Sequence, residues 1–137
     1  MDNEVNKWER LFVPYAIAFK LKQLGFEESC LCAYRNSDGE ESLMGYDLWK
    51  NGEIYDNHEG FCAAPVYQQV IDWFREKHKL NIWLDCDNKE RWIWTINFIT
   101  KGDYIQCDDE DNGVETIWFD DYYKAYNNAI EKALTLI

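Results

Sequence analysis

The sequence predicts an α+β fold, with a mainly antiparallel sheet of about five to six strands packed by two or three helices as a two-layer sandwich. Segments with apolar residues at helical spacing are interspersed with short segments that alternate polar and apolar residues. Aromatic residues make up 17% of the 137 residues, enough to build the core of one domain. No internal repeat or linker divides the chain, so a single domain over residues 1–137 is predicted.

The first helix is predicted to begin at Pro14, after a short N-terminal arm of about residues 1–10. Its apolar stripe is expected at Ile17, Leu21 and Leu24. Gly25 is expected to end the helix in a left-handed conformation, and Phe26 to make a hydrophobic contact beyond this stop. The compact apolar stretch 30–34 then predicts a buried strand.

The middle of the chain predicts a hairpin and a second helix. Residues 36–39 are expected to form a loop, and strands at 43–49 and 53–55 flank the turn signal Asn51-Gly52. A helix from Pro65 to about His78 follows, with a wide apolar face and basic residues in its last turn. The helix dipole favours the cationic form of His78 there.

The last third predicts four strands and a closing helix. Residues 80–86 and 91–98 alternate between polar and apolar, and further strands are expected at 104–107 and 114–119. A helix is expected to start near Asp120, an acceptable N-cap, and to run to the last residue.

The formal charge of −12 is concentrated in two acidic segments, about residues 36–60 and 103–121. Residues 36–60 hold seven acids and one base, and residues 102–123 hold eight acids and no base. This charge argues against direct binding of a nucleic-acid backbone. The chain has no apolar run long enough to span a membrane and no signal-peptide pattern, and its five cysteines are an odd number, so a cytoplasmic location is expected.

Motifs that would carry catalysis or bind a cofactor are absent from the sequence, so we expect neither an enzyme nor a cofactor. Residues 108–113 match the start of a calcium loop, but Phe119 occupies the position of the essential carboxylate. Cys30 and Cys32 are expected to be buried structural thiols rather than metal ligands. A magnesium site at Asp85, Asp87 and Glu90 is weighed against a solvated turn, which is the simpler interpretation.

Candidate partner-binding residues lie in or beside the acidic segments. Aromatic side chains ringed by charge are typical anchors of protein interfaces. The candidates are Trp49, Tyr55, Asp108, Asp109, Glu110, Asp111 and Trp118.

Several stretches resemble a group of small uncharacterised proteins encoded by phages and prophages of gut bacteria. The stretches are residues 13–18, Leu24-Gly25-Phe26, the block 64–78 and the closing helix that ends at residue 137. The group has no assigned activity, so the resemblance implies a phage-like context and no functional residues.

Three functions remain open from the sequence. The first is a protein-binding accessory module that acts on a host or phage protein in the bacterial cytoplasm. The second is a DNA mimic that inhibits a nucleic-acid-binding protein, which requires both acidic segments on one face. The third is a protein that sequesters nucleotides, with phosphates bound by cations such as Arg75, Lys77, Lys79 and Arg91. The oligomeric state is not predicted.

Overall fold

The structure is a computed structural model that describes residues 8–37, 40–45, 49–51, 61–107 and 118–137. Its helices are α1 (Tyr15–Gln23), α2 (Tyr67–His78) and α3 (Tyr122–Leu134), and a short 3₁₀ turn spans Trp8–Leu11. Its strands are β1 (Cys32–Ser37), β2 (Glu40–Met44), β3 (Phe61–Ala64), β4 (Leu80–Cys86), β5 (Trp92–Phe98) and β6 (Asp103–Gln106).

The predicted α+β class is confirmed, because the described residues form three helices and six strands with antiparallel pairing. The strands are divided between two three-stranded sheets, ordered β2-β1-β3 and β4-β5-β6. The chain divides into two compact units, residues 1–70 and 71–137. A single domain over the whole chain stays a prediction.

Helix α1 ends by the predicted device. Gly25 adopts a positive φ of 94°, and the backbone N–H of Phe26 donates to the carbonyl of Leu21 at 2.9 Å. Phe26 is fully buried, as are Ile17 and Leu21, so the hydrophobic contact beyond the stop is confirmed. Leu24 is 44% exposed, so its predicted place in the buried stripe was wrong.

The first sheet contains an antiparallel pair, β1 and β2, that the sequence analysis did not predict. Ser37 of β1 pairs with Glu40 of β2, so the expected loop at 36–39 is wrong for residues 36 and 37, which lie in β1. Strand β3 was missed, because four residues with three consecutive buried positions carry no alternating pattern. The predicted strand 53–55 lies outside the described residues.

Asn51 links three parts of the first unit through its buried side chain. Its Nδ2 donates to the carbonyl of Phe26 at 2.9 Å, and its Oδ1 accepts from the backbone N–H of Ala63 at 3.0 Å. The side chain therefore connects the end of α1 to β3 and satisfies two buried backbone groups.

The second unit places α3 on the sheet of β4, β5 and β6. Strand β4 has the predicted bounds, and β5 begins one residue after the predicted start at Arg91. Ile82, Trp94 and Ile96 on their shared face are buried. The indole N–H of Trp94 donates to Asn128 of α3 at 2.8 Å. The N-cap of α3 is Asp121, one residue after the predicted position.

Helix α2 begins at Tyr67, two residues after Pro65, and its apolar face is buried. His78 packs with its ring centroid 4.6 Å from that of Trp73. Burial, with a smaller effect from Lys77, lowers the pKa of His78, so the expected cationic preference was wrong. The apolar surroundings outweigh the helix dipole here. Among the described residues, no helix has the length and apolar character that crossing a membrane requires.

Candidate functional site

Two of the seven candidate binding residues fall within the described part of the chain. Trp49 belongs to the first unit and Trp118 to the second. Tyr55, Asp108, Asp109, Glu110 and Asp111 lie outside the described residues. The candidate site is therefore built from Trp118 and the groups around it.

Trp118 presents a large aromatic side chain to solvent beside strand β5. The side chain is 38% exposed, and the guanidinium carbon of Arg91 lies 5.1 Å from the centroid of its ring. A guanidinium at this distance from an indole ring attracts it electrostatically, by about 0.5–1 kcal/mol at an exposed site. One side of the ring is therefore held, while part of the side chain stays open to a partner.

Asp87 fixes the guanidinium that holds Trp118. Its Oδ2 accepts from Nε of Arg91 at 2.8 Å and pairs with an Nη at 2.7 Å, a two-pronged contact. Its Oδ1 accepts from the backbone N–H groups of Lys89 and Arg91, both at 2.9 Å. Desolvation acts to raise the pKa of Asp87, but these backbone hydrogen bonds and the guanidinium together lower it. The carboxylate is thus ionised at neutral pH and anchors both the turn and Arg91.

The backbone next to Trp118 is also fixed. Phe119 and Trp92 exchange two hydrogen bonds, with N–O distances of 2.7 and 2.8 Å. The ring of Trp92 in turn contacts Tyr122 edge-on, with centroids 5.0 Å apart. Strand β5, the first turn of α3 and the Asp87–Arg91 turn therefore all position this indole. We call Trp118, Arg91 and Asp87 the Trp118 cluster.

Acidic residues of the second segment have different roles near this cluster. Asp121 accepts from the backbone N–H groups of Tyr123 and Lys124 at 2.7 and 3.0 Å, which makes it the helix cap. Asp120 is exposed and lies 3.4 Å from the ammonium of Lys124, a surface pair of little strength. Asp120 is therefore free to contribute to the local negative potential, whereas Asp121 serves the fold.

Trp49 occupies a structural position in the first unit. Its backbone exchanges two hydrogen bonds of 2.7 Å with Cys30. Its ring stacks on Phe61 with a centroid distance of 5.8 Å and an interplanar angle of 19°. These contacts fix Trp49 between two segments of the fold and leave its side chain half-buried.

Four of the five cysteines are buried thiols. They are Cys30, Cys32, Cys62 and Cys107, whereas Cys86 is exposed. Burial, with contributions from Cys62, Glu28 and Cys32, raises the pKa of Cys30 to about 12. That thiol is protonated at neutral pH and is a poor nucleophile. Among the described residues, no group of three histidine, cysteine or acidic side chains is placed to hold a metal ion.

Three of the charged side chains that other hypotheses required, Asp87, Arg91 and Arg75, form ion pairs within the second unit. Asp87 binds Arg91, so it is not available to a magnesium ion. Arg75 pairs with Asp72 at 2.8 Å, which reduces its capacity to bind phosphate. Sequence reasoning weighed Asp87 as a magnesium ligand but preferred a solvated turn, and it offered Arg91 as one of several phosphate ligands. It missed the pairing of Asp87 with Arg91 and the contact of Arg91 with Trp118. The i, i+4 spacing of Asp87 and Arg91 in a turn was the signal available for their pairing.

Comparison of the chain with protein-family models, with curated proteins and with solved structures gave no match.

Proposed function

We propose that the chain is a non-enzymatic protein-binding module that uses Trp118 as its anchor. The observation that carries the proposal is the Trp118 cluster, in which an exposed indole is held from one side by a guanidinium that a carboxylate fixes. The partner is a protein of the host bacterium or of a phage, met in the bacterial cytoplasm. The resemblance to phage-encoded proteins supports this setting.

An indole held in place suits an interface anchor for an energetic reason. Tryptophan is among the residues most often found to dominate binding energy. An anchor that is already ordered loses less side-chain entropy on binding, and immobilising one flexible side chain costs about 0.5–1.5 kcal/mol. The contacts from Asp87 through Arg91 reduce this cost for Trp118.

The charge beside Trp118 defines the chemistry of the partner. Residues 102–123 hold eight acidic residues and no basic residue. An acidic segment next to Trp118 in the sequence attracts a basic partner and increases the rate of association, and this attraction weakens as salt is added. We therefore expect a partner with a basic patch around an apolar pocket that receives the indole.

A capture experiment tests the proposal. The immobilised chain is exposed to lysate of a gut bacterium at low salt, and retained proteins are quantified against a variant with Asp108, Asp109 and Asp111 changed to Asn. We expect at least one protein that the wild type retains, the variant loses, and 0.5 M salt releases. Retention of nothing above background by the wild type would refute the proposal.

The same experiment separates the module from a DNA mimic. A DNA mimic occupies the nucleic-acid cleft of its partner, so duplex DNA would displace the chain from the captured protein. An interface centred on Trp118 and an apolar pocket lies outside such a cleft, and DNA then leaves the complex intact.

A further inference from the structure

A cavity of about 450 Å³ opens in the first unit. Its volume lies within the range of about 300–1,000 Å³ that is typical of small-molecule sites. It is bounded by the 3₁₀ turn, the start of α1 and the hairpin of β1 and β2. The lining residues are Glu9, Tyr15, Tyr34, Glu41, Ser42 and Leu43.

The two tyrosines of the lining are held in place. The hydroxyl of Tyr34 donates to the carbonyl of Val13 at 2.6 Å, and the hydroxyl of Tyr15 accepts from Nδ2 of Asn36 at 3.4 Å. Their rings meet edge-on, with centroids 5.7 Å apart and an interplanar angle of 83°. Two rings at nearly right angles form a corner of aromatic surface at the cavity.

The two carboxylates of the lining have no counter-ion in the described part of the chain. No ion pair joins Glu9 or Glu41 to a basic side chain there, and the lining has no lysine or arginine. Arg35 follows Tyr34 on β1 and so points to the other face of the strand, where its guanidinium lies 5.9 Å from the ring of Phe61. The charge of the cavity is therefore negative.

We propose that this cavity binds a small organic cation with an alkylated ammonium group. Such a group is attracted by the negative faces of aromatic rings and by carboxylates, and its methyl groups pack against apolar carbon such as that of Leu43. A bare metal ion does not fit this volume, which one ion and its ligands would leave largely empty. The net charge of −12 raises the local concentration of any cation at the surface.

Choline is the probe for the test, and dimethylbutanol, its neutral carbon analogue of the same shape, is the control ligand. Titration followed by the NMR signals of Tyr15 and Tyr34 is expected to show saturable binding of choline and none of dimethylbutanol. Glu9→Gln with Glu41→Gln weakens choline binding by roughly tenfold, because two attractive charges are removed. Glu27→Gln with Glu28→Gln removes the same charge from an exposed part of this unit and leaves the affinity unchanged.

Equal signal changes with both ligands would overturn the proposal, as would a Glu9 and Glu41 double variant that binds choline as tightly as the wild type. Phosphatidylcholine vesicles carry the same head group, and co-sedimentation of the chain with them in a Glu9- and Glu41-dependent manner would place the same cation on a lipid. Absence of binding to both probes would also overturn the proposal. The Glu variants retain their fold because neither side chain has a described partner to lose.

Discussion

Replacement of Asn51 by Ala tests the account of how the first unit is held together. The side chain of Asn51 satisfies the carbonyl of Phe26 at 2.9 Å and the N–H of Ala63 at 3.0 Å, and it is only 5% exposed. Phe26 and Ala63 are themselves buried, so water does not replace the lost partner at low cost. Each buried group left without a partner costs about 1–3 kcal/mol, so Asn51→Ala is expected to lower the free energy of unfolding by about 2–6 kcal/mol.

Urea unfolding followed by tryptophan fluorescence measures this change, with Asn88→Ala as the matched control. Asn88 lies in an exposed turn and is expected to change the free energy of unfolding by less than about 0.5 kcal/mol. Asn51→Asp retains an acceptor for Ala63 but loses the donor to Phe26, so it is expected to destabilise at least as much as Asn51→Ala. A cost below about 1 kcal/mol for Asn51→Ala would refute the reasoning, because one unpaired buried group alone exceeds it.

Four further outcomes follow from contacts in the structure. Asp121→Ala removes the cap of α3 and is expected to lower the free energy of unfolding in urea by about 1 kcal/mol. The control Asp120→Ala is expected to lower it by less than about 0.5 kcal/mol, and equal losses would contradict the cap assignment. Gly25→Ala places a side chain at a φ of 94°, where backbone strain is expected to lower the free energy of unfolding by roughly 1–2 kcal/mol, although space is open around the new carbon. An unchanged free energy of unfolding would contradict this strain. The pKa of Cys30 is raised from 9.0 to about 12, so the burial of its neutral thiol stabilises the fold in full below pH 9, and this contribution declines by about 2 kcal/mol by pH 10.5. Cys30→Ala should remove that part of the pH dependence, and an unchanged profile would contradict it. Of the five cysteines only Cys86 is exposed, so one rapid equivalent is expected in a thiol titration of the native chain; two or more would contradict the burial of the other four.

Elements with strong periodicity or clear end signals were predictable from the sequence. Strand β4 was placed at its observed bounds and β5 within one residue of them, because both alternate over seven residues. Helix α1 was placed by Pro14 and Gly25, two residues whose backbone preferences act locally. These elements depend on interactions between residues that are close in sequence, so a sequence pattern predicts them.

The strand pairing of the first sheet was not predictable from the sequence pattern. The turn signal Asn51-Gly52 predicts a hairpin between strands at 43–49 and 53–55, whereas the observed register pairs Ser37 of β1 with Glu40 of β2. Asn51 instead serves the fold through two tertiary hydrogen bonds that span 25 and 12 residues of sequence. Only the tertiary structure reveals such partners.

The candidate site was predictable in part for the same reason. Composition and charge drew attention to Trp118, but its support by Arg91 and Asp87 depends on a turn that brings residue 91 beside residue 118. The pKa of His78 was mispredicted because the helix end was visible in the sequence, whereas the packing against Trp73 was not. Tertiary contacts that the sequence does not show thus determine the position of Arg91 and the pKa of His78.

The affinity of the captured partner for two tryptophan variants tests the central proposal most directly. Trp83 is 49% exposed on strand β4 and belongs to the same unit as Trp118, so Trp83→Ala is a matched control for Trp118→Ala. With the partner purified and calorimetry at fixed salt, Trp118→Ala is expected to lose about 2 kcal/mol of binding free energy, roughly a thirtyfold weaker Kd. Trp83→Ala is expected to bind within a factor of about three of the wild type. A partner that binds the Trp118→Ala variant as tightly as the wild type would contradict the proposal that this indole is the anchor.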